Sequence, residues 1–321
     1  MRKFILKILI IFAITLVISY PLDVFISTNL KKSSHIASDE FSTWNAIIDG
    51  NLNSEMYIYG SSRGCFHFNP IIIEDSLGMP VYNLGINGHT FNIEYLRHKL
   101  ALKYNKSPKY IILSLEPSAL SKGNLFNQDQ FLPYMLWDRT FYKYMSKFKG
   151  FVFLDYTIPL IRYYGNLKMI NEAIRMYLNP KVNNNKIRIK GYEGKDMVWS
   201  SDFDNAKKRL KEYEIEIDNS TYDLFLQFLK ECQQQNIKVI LVYSPIYIDG
   251  QKFIKNQNDI IKIYQNIANE YNLEYLDYTQ DSICYNKNYF YNAMHLNKTG
   301  AELFTKKLAH ILKEKKTIDD I

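Results

Sequence analysis

Short apolar runs alternate with stretches of helix length from Glu55 to Lys313, and that alternation restricts the fold of this chain more than any other feature. Met56 to Gly60, Val81 to Leu84, Tyr110 to Leu115, Lys238 to Tyr243 and Leu273 to Asp277 have the length and composition of buried strands. Helices are predicted near Pro70 to Leu77, Phe91 to Tyr104, Thr221 to Gln235, Asp259 to Tyr271 and Thr299 to Lys313. Repeated strand-helix units bury their apolar sides by laying helices on both faces of a parallel sheet. Loops at the carboxyl ends of such a sheet form the ligand crevice. Gly60-Ser61-Ser62-Arg63 ends the first run, Asn87-Gly88-His89-Thr90 follows the second, and His295-Leu296-Asn297-Lys298-Thr299-Gly300 precedes the last helix. These three motifs, far apart in sequence, are expected to converge.

Outside that pattern the chain has three other parts. Met1-Arg2-Lys3 is followed by Phe4 to Tyr20, where only Lys7, Thr15 and Ser19 interrupt an apolar stretch. No Ala-x-Ala-like cleavage site follows, so residues 1–26 are expected to be an uncleaved signal anchor, with the amino end in the cytoplasm and the rest outside. Residues 27–54 are polar and read as a stalk, becoming mildly amphipathic at Trp44-Asn45-Ala46-Ile47-Ile48. Residues 55–117 and 219–316 would then form the folded domain. Residues 118–218 break the rhythm with aromatic segments around Phe131, Trp137 and Phe141 and a polar Asn183-Asn184-Asn185-Lys186 turn, and they read as an insertion. An insertion at the carboxyl edge either shapes a substrate site or caps the core, and sequence leaves both open.

Composition removes several function classes. In 321 residues, 47% apolar, there is enough material for a sizeable core. The net charge of +7 is dispersed, with no dense basic run, so no nucleic-acid partner is expected. Cys65, Cys232 and Cys284 show neither CxxC spacing nor an even count, and His67, His89 and His295 lack His-x-x-x-His spacing. Free thiols and no metal are therefore expected.

The three motifs together resemble the SGNH or GDSL hydrolase superfamily. Gly60-Ser61-Ser62 matches the nucleophile turn, with Ser62 in the nucleophile's place. Asn83 and Gly88-His89-Thr90 match Asn-x-x-x-x-Gly-x-Thr, which puts Gly88 at the oxyanion hole beside the Ser62 N–H. Asn292-Ala293-Met294-His295 stands where the family has Asp-x-x-His. The resemblance covers Glu55 to Ser118 and Asn219 to about Lys313. It implies a three-layer α/β/α sandwich with a flavodoxin-like parallel sheet of five strands and an acyl-serine mechanism without cofactor; the insertion lies outside the resemblance and is expected to be helical. In that mechanism His295 serves as the base, since a serine hydroxyl needs a proton acceptor within reach. The Gly-Ser-Ser-Arg form and the apolar amino end look most like bacterial envelope-associated members. They imply an esterase or O-acetyltransferase acting on acylated carbohydrate, with envelope polysaccharide machinery as a partner.

Two positions depart from the family. Ser114-Leu115-Glu116-Pro117-Ser118 replaces Gly-x-Asn, leaving Ser118 or Asn87 as substitute donors. Asn292 replaces the acid, leaving Asp277 or Asp281 as substitutes, or a Ser-His dyad. Arg63 reads either as a site for an anionic group or as an ion pair fixing the turn. Hydrolase and transferase both stay open, and so does an inert domain that binds a glycan or a partner enzyme at the membrane.

Overall fold

The computed structural model describes residues 1–179 and 187–315; the Asn183 to Lys186 turn and Lys316 lie outside the described residues. The described residues divide into two compact units, 1–45 with 125–187 and 46–124 with the chain from 188 onward.

The larger unit holds the five predicted strands, β1 (Met56–Tyr59), β2 (Val81–Asn83), β3 (Tyr110–Leu115), β4 (Lys238–Tyr243) and β5 (Glu274–Asp277). They lie in the order β2-β1-β3-β4-β5, and every neighbouring pair is parallel. This is the expected α/β sheet, and its order reverses between β1 and β3, the place where ligands of such sheets bind. All four residues of β1 are buried, as a strand covered on both faces requires. On one face α4 (Pro70–Leu77) and α12 (Lys298–Glu314) bring Ile73, Leu77, Phe304, Leu308 and Leu312 onto Met56, Ile58, Ile112 and Ile240. On the other, α5 (Phe91–Tyr104) and α9 (Asn219–Gln234) meet through Phe91, Phe225 and Phe228, with α11 (Gln257–Glu270) completing the predicted set. Local signals set α4's ends: the Asn69 side chain accepts from the Ile71 N–H, Pro70 takes the first turn, and Gly78 closes it in the left-handed conformation.

Three short helices of this unit were not predicted individually, because one or two turns carry too little period to read. They are α3 (Ser62–His67), α8 (Asp202–Arg209) and α10 (Ile248–Phe253). An antiparallel pair, β6 (Phe290–Asn292) and β7 (His295–Leu296), precedes α12. Residues 188–218 of the segment read as an insertion belong to this unit.

The smaller unit contains α1 (Arg2–Leu30), the start of α2 (Glu40–Ile48), α6 (Arg139–Met145) and α7 (Leu167–Leu178). α1 is long and apolar enough to cross a membrane. Its stretch from Arg2 to Tyr20 spans about 28 Å at 1.5 Å per residue, close to a bilayer core of about 30 Å. Beyond it the helix turns protein-facing. Asp23 is fully buried and takes two charge-assisted bonds from Arg162, at 2.8 and 2.7 Å, and a third from the Leu160 N–H at 2.7 Å. Ser27 bonds both Asp23 and the Tyr163 hydroxyl, and the Ser33 hydroxyl donates to the Glu172 carboxylate. Residues expected to solvate a stalk are instead buried partners, which polarity alone does not distinguish. Trp44 packs among Phe131, Tyr134 and Phe141.

Asp23→Ala is expected to destabilise this unit by roughly 3–5 kcal/mol, because it strands a buried guanidinium. Denaturant unfolding of the full chain in detergent measures it, and a change within about 0.5 kcal/mol would mean that the pair is solvated.

Candidate active site

The site begins where β1 ends. Gly60 has φ +145°, and a Cβ there would stand 2.7 Å from the Ser114 Cβ on β3, so only glycine lets the turn lie against its neighbour. Ser62 then opens α3. Its Oγ lies 2.7 Å from His295 Nε2, on the first residue of β7. The pair is separated by 233 positions in the chain.

The other ring nitrogen decides what the imidazole can do. Asn292 Oδ1 accepts from the Met294 N–H at 3.0 Å and the His295 N–H at 2.9 Å, which assigns the amide oxygen to that side. The same oxygen lies 3.0 Å from His295 Nδ1. An oxygen there can only accept, so Nδ1 carries the proton and Nε2 presents its lone pair to the Ser62 hydroxyl. This is the tautomer a general base needs. Tyr291 stacks on the ring at 5.4 Å with an interplanar angle of 9°. Desolvation, followed by the nearby positive charges of Arg63 and Lys195, pushes the His295 pKa down to about 3. The ring is thus held neutral.

Ser62, Gly88, Glu116, Ser118, Met294 and His295 line one cleft of about 280 Å³. Gly88, at φ +78°, brings a main chain without a side chain to its wall. Asn87 does not line the cleft; its carbonyl accepts from His89 Nδ1 at 3.0 Å. Asp277 accepts from the Thr279 N–H, and Asp281 caps a turn at Ile283 and pairs with Lys307. Both carboxylates are engaged away from Nδ1, whose partner is Asn292.

Arg63 is 1% exposed and serves as a brace. Its Nε and Nη2 donate to the Ser244 hydroxyl at 3.1 and 2.9 Å, and Nη2 also donates to the Ser244 carbonyl. His67 continues the chain of bonds: its Nε2 accepts from the Leu296 N–H at 3.0 Å, so its Nδ1–H donates to Ser244 Oγ at 2.9 Å. α3, the end of β4 and the strand bearing His295 are thereby tied together. Asn83 anchors α3 from the other side, its amide donating to the Gly64 and Phe68 carbonyls at 2.7 and 2.8 Å. Glu116, at the third block, accepts from the Ser61 N–H at 3.1 Å. Burial pushes its carboxyl up, partly offset by Arg63 and that N–H.

Sequence reading missed Glu116 and Lys195; Ser244, read as a residue that could line the pocket at the end of the fourth strand, instead joins His67 in bracing Arg63 and the strand bearing His295. A Glu directly after a buried strand was the one available signal, since a carboxylate there must find donors.

No family model matches the sequence, and no curated protein matches it. Among solved structures the chain is similar to a protein assigned to the G-D-S-L lipolytic family from Desulfitobacterium hafniense DCB-2, at 10% identity and TM-score 0.38, covering 80% of this chain and 99% of that one. It is also similar to an acetyl xylan esterase, AlAXEase, at 17% identity and TM-score 0.38, covering 81% of this chain and 98% of that one. Likenesses this distant say nothing about chemistry, which rests on the chain's own residues.

Proposed function

We propose that this chain is a membrane-anchored SGNH-type serine esterase or O-acyltransferase that works through an acyl-Ser62 intermediate. The observation that carries the reading is the Ser62 Oγ to His295 Nε2 contact at 2.7 Å, with the ring tautomer set by the Asn292 oxygen. Ser62 Oγ attacks the ester carbonyl while its proton moves to His295 Nε2. The Ser62 and Gly88 N–H groups receive the oxyanion, the imidazolium returns its proton to the leaving alcohol, and acyl-Ser62 remains. Water or a second alcohol then resolves it through the same base. On the resemblance to envelope-associated members, the alcohol is a hydroxyl of an envelope or secreted carbohydrate, and α1 holds the enzyme at that location with its folded part outside the cytoplasm.

The test is labelling of the full chain in detergent with a fluorophosphonate, which reacts only with an activated serine. Labelling is expected in the native protein and lost in Ser62→Ala and His295→Ala. The base acts when neutral, and its pKa is depressed, so activation persists as pH falls. The labelling rate at pH 5 should stay within about threefold of that at pH 7, whereas an imidazole at its ordinary pKa of about 6.5 would be only about 3% neutral there. No labelling of folded protein would favour the inert binding domain instead. A roughly thirtyfold fall would mean that His295 is solvated.

A further inference from the structure

A second cavity, of about 360 Å³, opens beside the catalytic pair and shares the walls formed by Pro117, Ser118, Met294 and His295 with the Ser62 cleft. Its interior is built from Phe203, Ala206 and Leu210 on and just after α8, with Ile215, Phe253 and Ile254 opposite. Phe203, Ile215 and Ile254 are buried, and Phe203 packs edge-on against Phe253 at 5.6 Å. Asp202, Tyr213 and Asn292 also line it, but apart from these and the shared rim it presents aliphatic and aromatic carbon. Such a cavity suits a sugar ring poorly, since most of its hydroxyls would lose water there without finding partners. It suits a methylene chain. Its size is that of about twelve water-sized groups at roughly 30 Å³ each, more than an acetyl group fills.

We infer that the substrate carries an unbranched alkyl chain of medium length on the scissile ester, and that the cavity under α8 binds it. The inference rests on the serine-esterase reading above and adds the substrate class. It gives residues 202–215 of the segment read as an insertion a role in substrate selection. With a carbohydrate as the alcohol, as proposed above, the alkyl chain reaching this cavity past His295 belongs to the acyl half of the ester; an alkyl alcohol half would present the same chemistry to Phe203 and Leu210 and would replace the carbohydrate reading.

Two ester series separate those sources: p-nitrophenyl acyl esters from acetate to octanoate, and alkyl acetates from ethyl to octyl. Each buried methylene contributes about fourfold in kcat/KM, so one series should rise at least about thirtyfold over four added methylenes. The series that rises identifies the half of the ester. Ala206→Trp, which fills the cavity, should flatten the rise to within about threefold. Leu210→Arg, at a residue already 50% exposed and therefore tolerant of a charge, should do the same. Saturation-transfer NMR of octanol on Ser62→Ala needs no turnover: octanol should contact the protein there, and Ala206→Trp should abolish the contact. Flat profiles in both series together with no octanol contact would overturn the alkyl site while leaving the esterase reading intact. Octanol contact sensitive to Ala206→Trp, with no turnover of any ester, would keep the site and remove the esterase reading.

Discussion

Asn292→Asp is expected to raise kcat/KM about five- to thirtyfold and to move the acid limb of the pH profile upward. A serine protease whose triad Asp is exchanged for Asn loses about 10⁴ in turnover, because the amide leaves the histidine in the wrong tautomer. That penalty does not apply here, since two backbone N–H groups already hold the Asn292 oxygen toward His295 Nδ1. What the amide lacks is charge. A hydrogen bond to a charged group contributes about 1.5–3 kcal/mol against about 0.5–1.5 for a neutral one, and the difference of about 1–2 kcal/mol converts to the stated factor. The carboxylate also favours the imidazolium, so the pKa of His295, now about 3, rises and activity is lost at a higher pH than in the native protein. Asn292→Leu has no acceptor and should lose more than about tenfold. An Asp variant with the native fold and an unchanged or lower rate would mean that the native oxygen does not face Nδ1. Steady-state kinetics across pH for the three proteins provides the comparison.

Ser62→Ala and His295→Ala should each lower turnover by about 10³- to 10⁶-fold, and the double variant should be no worse than the weaker single one. Non-additivity is the informative part. Ser62 Oγ and His295 Nε2 lie 2.7 Å apart, and on the proposed mechanism they act as one unit, so removing either member should remove the function of both. Multiplying losses would show that the residues contribute separately and that the contact is not the proton path. Turnover of the best ester from the two series, with folding checked by near-UV circular dichroism, measures both singles and the double.

Much of this was legible in the sequence, and for specific reasons. The central strands β1, β3 and β4 are runs buried almost throughout, so composition marks them, and the alternation of all five strands, including the less buried edges β2 and β5, with helices fixes a parallel sheet. Ser62, Gly88 and His295 were picked out through the resemblance of three blocks taken together, each weak alone, and the structure brings all three to one cleft. The tautomer could not be read. It depends on which way one amide points, and that is set by backbone N–H groups whose direction is a property of the β6–β7 turn. Asp277 and Asp281 were reasonable replacements by charge, yet Thr279, Ile283 and Lys307 engage them. Arg63 carries a buried positive charge beside Ser62, and its sequence context offered no way to see that Ser244, 181 positions later, would take its hydrogen bonds. Residues 27–45 show the opposite failure. Their serines and Asp39 read as solvated because hydroxyls and carboxylates usually are, and only tertiary partners such as Glu172 and Tyr163 reveal otherwise.

The bonds running from Arg63 through Ser244 and His67 to Leu296 bear on how the protein can be followed in a cell. Serine and base come from opposite ends of the folded sequence and meet only after the final strand has docked on α3. A nascent chain stalled before residue 295, or a molecule whose last helix has come away, therefore holds a serine with no acceptor for its proton. A fluorophosphonate signal would count finished molecules and ignore partial ones, so the probe used to test catalysis would also serve as a census of maturation.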